Sequence, residues 1–205
     1  MFTLLITGCF SDENKTNVTD KTESNITATK TTSPKIETKS EKVKQDKSKE
    51  EAPLFSITTL EGKTLTIDEI DGGLNIHELK DKVVFLLFFG HQCPPCLAEI
   101  PELISLTKEG HKDLAIVALE VQGLNEDRLK NFAKYKGINY NLIVGDENQD
   151  LIGYIAQKAG WSGGIPFLLA MDKKGVVQVV HTGGLGKTQF DNIYNQLKVD
   201  DNKTK

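Results

Sequence analysis

The sequence predicts an α/β fold built on a central mixed sheet, and three features carry that expectation. Val83–Phe89 is seven apolar residues without a break, the pattern of a parallel strand covered on both faces. Residues 114–121 read as a second buried strand, after a segment of helical period. The third feature is Asp172-Lys173-Lys174-Gly175, a turn signal between the apolar runs 167–171 and 176–180 that reads as an antiparallel hairpin.

The elements follow in order. Residues 54–67 read as two short strands around Glu61-Gly62-Lys63, a β extension ahead of the central sheet. After the 83–89 strand, Leu97, Ile100, Leu103, Ile104 and Thr107 fall on one helical face, with Pro101 expected to kink the helix by removing a backbone donor. Leu129, Phe132 and Ala133 mark a helix over 126–136, with Gly137 as its left-handed cap. Residues 140–144 read as a short strand, and Leu151, Ile152, Ile155 and Ala159 as another helical stripe. This middle stretch is an αβ insertion before the hairpin. Phe190, Ile193, Tyr194 and Leu197 close the chain as an amphipathic helix.

Composition divides the chain. Residues 11–52 hold nine lysines, nine acids, eight threonines and five serines, with no aromatic residue, no glycine and six apolar residues. Such a segment cannot offset the roughly 1–2 kcal/mol of backbone entropy lost per ordered residue. We therefore expect a disordered polar tether over 9–52, one domain over 53–200 and a tail over 201–205; residues 1–8 are expected to be part of a signal segment, on the resemblance given next. The net charge of −4 falls entirely outside 11–52, so composition offers no basic surface for nucleic acid. No run approaches the 18 or so apolar residues of a spanning helix, and three cysteines are too few for a disulfide scaffold.

Ile6-Thr7-Gly8-Cys9 resembles the lipobox of bacterial lipoproteins. That resemblance implies cleavage before Cys9, lipidation of its thiol, and a membrane-anchored extracytoplasmic or periplasmic protein. The tether, with a root-mean-square span of roughly 35 Å, would hold the domain off the bilayer. Asn14, Asn17, Asn25 and Asn202 each begin an Asn-x-Thr pattern, and Asp12, Glu23 and Asp200 precede three of them by two positions. This resembles the extended glycosylation sequon of some bacteria.

His91-Gln92-Cys93-Pro94-Pro95-Cys96 directly follows the 83–89 strand and opens the next helix. A Cys-x-x-Cys pair at a helix N-terminus sets the first sulfur among unpaired N–H groups at the positive end of the helix dipole. There the thiolate, the nucleophilic form, is favoured. Cys93 is then the exposed attacker and Cys96, one turn on, resolves the mixed disulfide. The helix is expected to begin at Pro95, because the residue before a proline avoids the α region. Two prolines remove two N–H groups, which should raise the Cys93 pKa relative to a Gly-Pro pair. Zinc needs about four ligands, and His91 is adjacent, but His77, His111 and His181 have no metal-ligand spacing. We expect neither metal nor cofactor. Gly183-Gly184-Leu185-Gly186-Lys187-Thr188 looks like a phosphate loop, but His181 stands where its first glycine is required.

From about Leu54 to Leu197 the sequence resembles the thioredoxin-like superfamily, in its extracytoplasmic TlpA/ResA/CcmG branch. The residues that carry the resemblance are the apolar strand running into Cys93 and Cys96, the continuation Cys96-Leu97-Ala98-Glu99-Ile100-Pro101, the segment Gly164-Ile165-Pro166-Phe167, and Gly183 or Gly184 before the last helix. The resemblance implies a thioredoxin fold, a cis peptide before Pro166, and substrate binding at Pro94, Pro95, Ile165 and Pro166. It also places the carboxylate of Glu99 near the dithiol, as a tuning or proton-relay group if buried or as an exposed first-turn acid if not. Gln92 stands where most members carry Trp, and Leu87 where cytoplasmic thioredoxins carry a buried Asp. The implied function is thiol-disulfide exchange in the cell envelope. A monomer would reduce protein disulfides such as those of apocytochrome c, with electrons from a membrane disulfide reductase. The alternatives are a disulfide oxidase, or a copper-handling or redox-inert interaction module on the same fold.

Overall fold

A computed structural model describes residues 54–199 of the 205. The expectations for 1–8, Cys9, the tether over 9–52 with its sequons, Asn202 and the tail over 201–205 lie outside the described residues. Among the described residues no helix is long and apolar enough to cross a membrane.

The central sheet grows outward from the most apolar strand. All seven residues of β4 (Val83–Phe89) are buried, as are all seven of β5 (Leu114–Glu120), and the two pair in parallel. β6 (Asn141–Val144) adds in parallel to β5. On the other side β7 (Phe167–Met171) runs antiparallel to β4, and β8 (Val177–Thr182) returns antiparallel to β7. The order is β6-β5-β4-β7-β8. β8 alternates covered and open residues, as an edge strand with one solvated face does. This is the mixed sheet the sequence predicts.

Alternation along β4 splits the core in two. Phe85 and Leu87 face one side, where Leu103 and Leu106 of α1 (Pro94–Lys108), Leu129 of α2 (Glu126–Lys136) and Phe190 of α4 (Lys187–Leu197) meet them. Leu86 and Phe88 face the other, against Leu151 and Ile155 of α3 (Gln149–Ala159). That second face also takes a small antiparallel sheet, β1 (Leu54–Thr58), β2 (Thr64–Ile70) and β3 (Gly73–Ile76), through Ile67 and Ile76. The first two strands match the expected β extension; the third, four residues long, was not anticipated. A β-bridge joins Gly73 to Val176, and a Cβ on Gly73 would sit 2.0 Å from the Gly175 carbonyl oxygen. Only glycine allows that crossing.

The helix after β4 departs from expectation at its start. It begins at Pro94, with Cys93 as the extended N-cap (φ −95°, ψ 107°); Pro94 precedes Pro95 and is helical all the same, its fixed φ and missing N–H suiting the first helical position. Pro101 lies inside the helix, which continues through it to Lys108. α2 ends at Gly137 in the left-handed conformation (φ 69°), as expected.

The candidate active site

β4 and β5 deliver their connecting loops to the same end of the sheet. At the end of β4 the chain turns through residues 90–93, where the Cys93 N–H donates to the Gly90 carbonyl at 3.3 Å. Cys93 then caps α1 with its own sulfur, Sγ accepting from the Cys96 N–H at 3.3 Å. An N-cap group takes its hydrogen bond from the second or third helical residue. Pro95 fills the second place and has no N–H, so Cys96 is the donor that remains. Cys93 and Cys96 are joined as a disulfide, with Cα atoms 5.2 Å apart. Cys93 is less exposed than expected, at 6% against 1% for Cys96, while Gln92, Pro94 and Pro95 are exposed around it in sequence. Of the two cysteines, Cys93 is the more exposed.

Two further segments close on the cysteines. The Ile165–Pro166 peptide is cis, and Cys93 Sγ lies 3.7 Å from the Ile165 carbonyl oxygen. The Pro166 carbonyl accepts from the Gly183 N–H at 2.8 Å, and Trp161 Nε1 donates to the Gly164 carbonyl at 2.6 Å. Gly184 faces Pro95, where a Cβ would stand 3.4 Å from the proline side chain. Pro94, Pro95, Ile165 and Pro166 thus surround the disulfide, although 70 residues of sequence separate the two halves.

Glu99 is the carboxylate on the α1 side. It lies beyond the first helical turn and is 3% exposed, which removes the alternative of an exposed first-turn acid. One backbone donor reaches it, Leu185 N–H at 2.6 Å. Burial pushes its pKa up to about 7, and the Leu185 bond, which acts in the opposite direction, does not cancel that. Burial and the nearby Glu99 charge both push the buried Tyr140 hydroxyl upward. A carboxyl group pushed up to about 7 one helical turn beyond Cys96 is chemically able to take or give a proton. Leu87 packs in the same apolar cluster as both cysteines.

Sequence reasoning missed a second carboxylate. Glu120, the last residue of β5, is 0% exposed, and its Oε1 lies 2.9 Å from the His91 ring Nδ1. Its identity was masked by position, since it sits inside an otherwise apolar run and its partner lies 29 residues away. The available signal was an acid ending a strand with no exposed face. Among the described residues no three His, Cys, Asp or Glu side chains gather to hold a metal ion. The 183–188 segment leads into α4 with Gly186 as N-cap.

Comparison with known proteins agrees with this geometry. Residues 49–180 match the model of the AhpC/TSA family. The thiol-disulfide oxidoreductase ResA of Bacillus thuringiensis (strain Al Hakam) is 31% identical over 148 residues, 72% of this chain and 76% of that protein. The thioredoxin-like protein YneN of Bacillus subtilis (strain 168) is 28% identical over 144 residues, 69% of this chain and 75% of its own. Among solved structures, a thiol:disulfide interchange protein of the thioredoxin family from Chlorobium tepidum TLS superposes with a TM-score of 0.58 at 29% identity, covering 73% of this chain and 96% of that one. StoA from Bacillus subtilis, at 17% identity and TM-score 0.53, covers 69% of this chain and 96% of its own and shares the fold. The chain belongs to the AhpC/TSA family of thioredoxin-like proteins and is a thiol-disulfide oxidoreductase.

Proposed function

We propose that this oxidoreductase works in the cell envelope as a reductant of protein disulfides, held at a membrane by lipid on Cys9 and reaching its partners on the 9–52 tether. The observation that carries the reading is the sulfur of Cys93, which caps a helix and lies 3.7 Å from the carbonyl before cis-Pro166. Reduced Cys93 attacks a sulfur of the partner's disulfide while the partner's backbone lies along Ile165 and Pro166, with Pro94 and Pro95 bounding the contact. Cys96 then attacks Cys93, releasing the reduced partner and closing the disulfide. Glu99 takes the proton that Cys96 gives up, as its burial and position suit it to do. A membrane disulfide reductase restores the dithiol.

The names of relatives such as ResA support exchange chemistry; the lipobox at Cys9 supports the anchor. An apocytochrome c whose two haem-binding cysteines are oxidised is the proposed substrate. The test is to mix reduced protein with a Cys-x-x-Cys-His peptide disulfide and follow peptide thiols. Stoichiometric reduction is expected, with Cys96→Ala stopping at a mixed disulfide through Cys93. Peptide left oxidised, while insulin disulfides are reduced, would replace the cytochrome substrate with a general one. Unmodified Cys9 on membrane-extracted protein would remove the anchor.

A further inference from the structure

Glu120 receives four hydrogen bonds. Oε1 accepts from the His91 backbone N–H at 3.2 Å, from the Gln122 N–H at 3.1 Å and from His91 Nδ1 at 2.9 Å, and Oε2 accepts from the Leu124 N–H at 2.8 Å. Three of these partners are backbone N–H groups, which can only donate. Both carboxylate oxygens therefore act as acceptors, and Nδ1 carries the hydrogen of the remaining bond. With Nδ1 committed to Glu120, Nε2 is the ring nitrogen left to meet a partner. Nε2 of His91 has no hydrogen-bond partner among the described residues. No buried side-chain nitrogen or oxygen among them lacks one, so Nε2 opens to solvent. The ring itself is 20% exposed, against 0% for the Glu120 side chain.

The ring is held in a defined place. His91 and Gln92 are the central residues of the turn closed by Cys93 N–H on the Gly90 carbonyl. The Gln92 N–H donates to the Gln122 side chain at 2.8 Å. That side chain lies so close over Gly90 that a Cβ there would come within 2.2 Å of it. The loops following β4 and β5 are thereby locked together directly before the cysteine that a partner reaches first. A buried carboxylate is a costly way to fix a turn, but a carboxylate that orients an imidazole is a recurrent device where a proton must be handled. Glu99 is engaged elsewhere, by Leu185; Glu120 on β5 and Cys93 at the head of α1 are the titratable groups bonded to this turn or adjoining the ring in sequence.

We propose that His91 handles a proton for the exchange reaction, its Nε2 facing the partner docked at Cys93, and that Glu120 is the positioning residue that orients it. The proposal rests on Cys93 being the nucleophile. In the reductive direction the Cys93 thiolate forms a bond to one partner sulfur and the partner's disulfide breaks. The electron pair goes to the second partner sulfur, which takes the proton from Nε2. Cys96 then closes the disulfide with Cys93, and the first partner sulfur leaves with the electron pair and is protonated at the expense of Cys96. Two electrons and two protons pass to the partner, and His91 recovers its proton from solvent.

The test uses the reduced full-length protein and 2-hydroxyethyl disulfide, an uncharged probe, with second-order rates measured from about pH 5 to about pH 9, the range in which histidine titrates. His91→Asn keeps an amide N–H where Nδ1 donates but has no second nitrogen. It is expected to react about tenfold more slowly at neutral pH, a modest share of what general acid–base catalysis supplies, and to lose an inflection of the wild-type profile while melting at the wild-type temperature. Glu120→Gln is expected to slow the wild-type background by a similar factor and the His91→Asn background not at all. His91→Asn with the wild-type rate and profile would overturn the proposal. So would Glu120→Gln slowing both backgrounds equally, since Glu120 would then act without His91. If Glu120→Gln does not fold, His91→Asn alone decides. Wild-type protein that leaves the probe intact would instead overturn the nucleophile assignment.

Discussion

Two buried carboxylates are tied to segments that adjoin the dithiol, Glu99 as part of α1 and Glu120 by a hydrogen bond from the turn before Cys93, and they are held in opposite ways. Glu99, on α1, has one backbone donor and is pushed up to about 7 by burial. Glu120, at the end of β5, has four donors and no exposure. The two differ in the number of N–H groups aimed at them. Glu99 is held at a single point, by Leu185, whereas Glu120 is the acceptor around which the loops after β4 and β5 are built.

The largest effect should come from the sulfur between them. Cys93→Ser is expected to abolish disulfide reduction in an insulin assay, whereas Cys96→Ala still forms the mixed disulfide. Exchange surviving in Cys93→Ser would mean that neither carboxylate flanks the reacting centre. The next largest should separate the two acids in stability. Glu120→Ala strands four N–H groups and should cost about 3–5 kcal/mol, against about 1–2 kcal/mol for Glu99→Ala, in urea unfolding of the oxidised protein. Equal losses would erase the distinction.

A third experiment isolates the Glu99 proton. Its folded pKa, about 7, lies above the ordinary 4.5, so the folded state holds the proton more tightly and this group's contribution to stability is complete below pH 4.5. That contribution is lost as pH rises to about 7. Glu99→Gln, which keeps the acceptor for Leu185, should not show this loss; parallel pH–stability curves for the two proteins would contradict the elevated value. The smallest expected effect is at Pro95. Pro95→Ala restores the second helical N–H as a donor to Cys93 Sγ, and should let the thiolate form at lower pH. Thiolate ultraviolet absorbance reads this directly, and a shift toward higher pH would count against capping as the means of activation.

Much of the fold could be read from the chain because its apolar runs are uniform. β4 and β7 have the bounds their sequences suggest, and α2 ends at Gly137 as predicted. β3 escaped because Gly73-Leu74-Asn75-Ile76 offers only two buried residues and gains its place from pairing with β2 and Val176. At the site, Cys93 and Cys96 form a local motif, and Glu99 and Pro166 lie in short segments that carry the family resemblance. His91 and Glu120 have no such segment in common. Their link exists only because parallel pairing of β4 with β5 brings the ends of both strands together, Phe89 opposite Glu120.

The sulfur that caps α1 ties catalysis to the mechanics of the helix. Whatever favours a thiolate at Cys93 also strengthens the first turn of α1, because the Cys96 N–H bonds better to a charged acceptor than to a neutral one. By thermodynamic linkage the same bond favours the reduced protein over the oxidised one and makes the pair the stronger oxidant. The difference in unfolding free energy between oxidised and reduced protein therefore measures the same quantity as its redox potential relative to an unfolded dithiol. A calorimeter can thus report on which way this protein passes electrons.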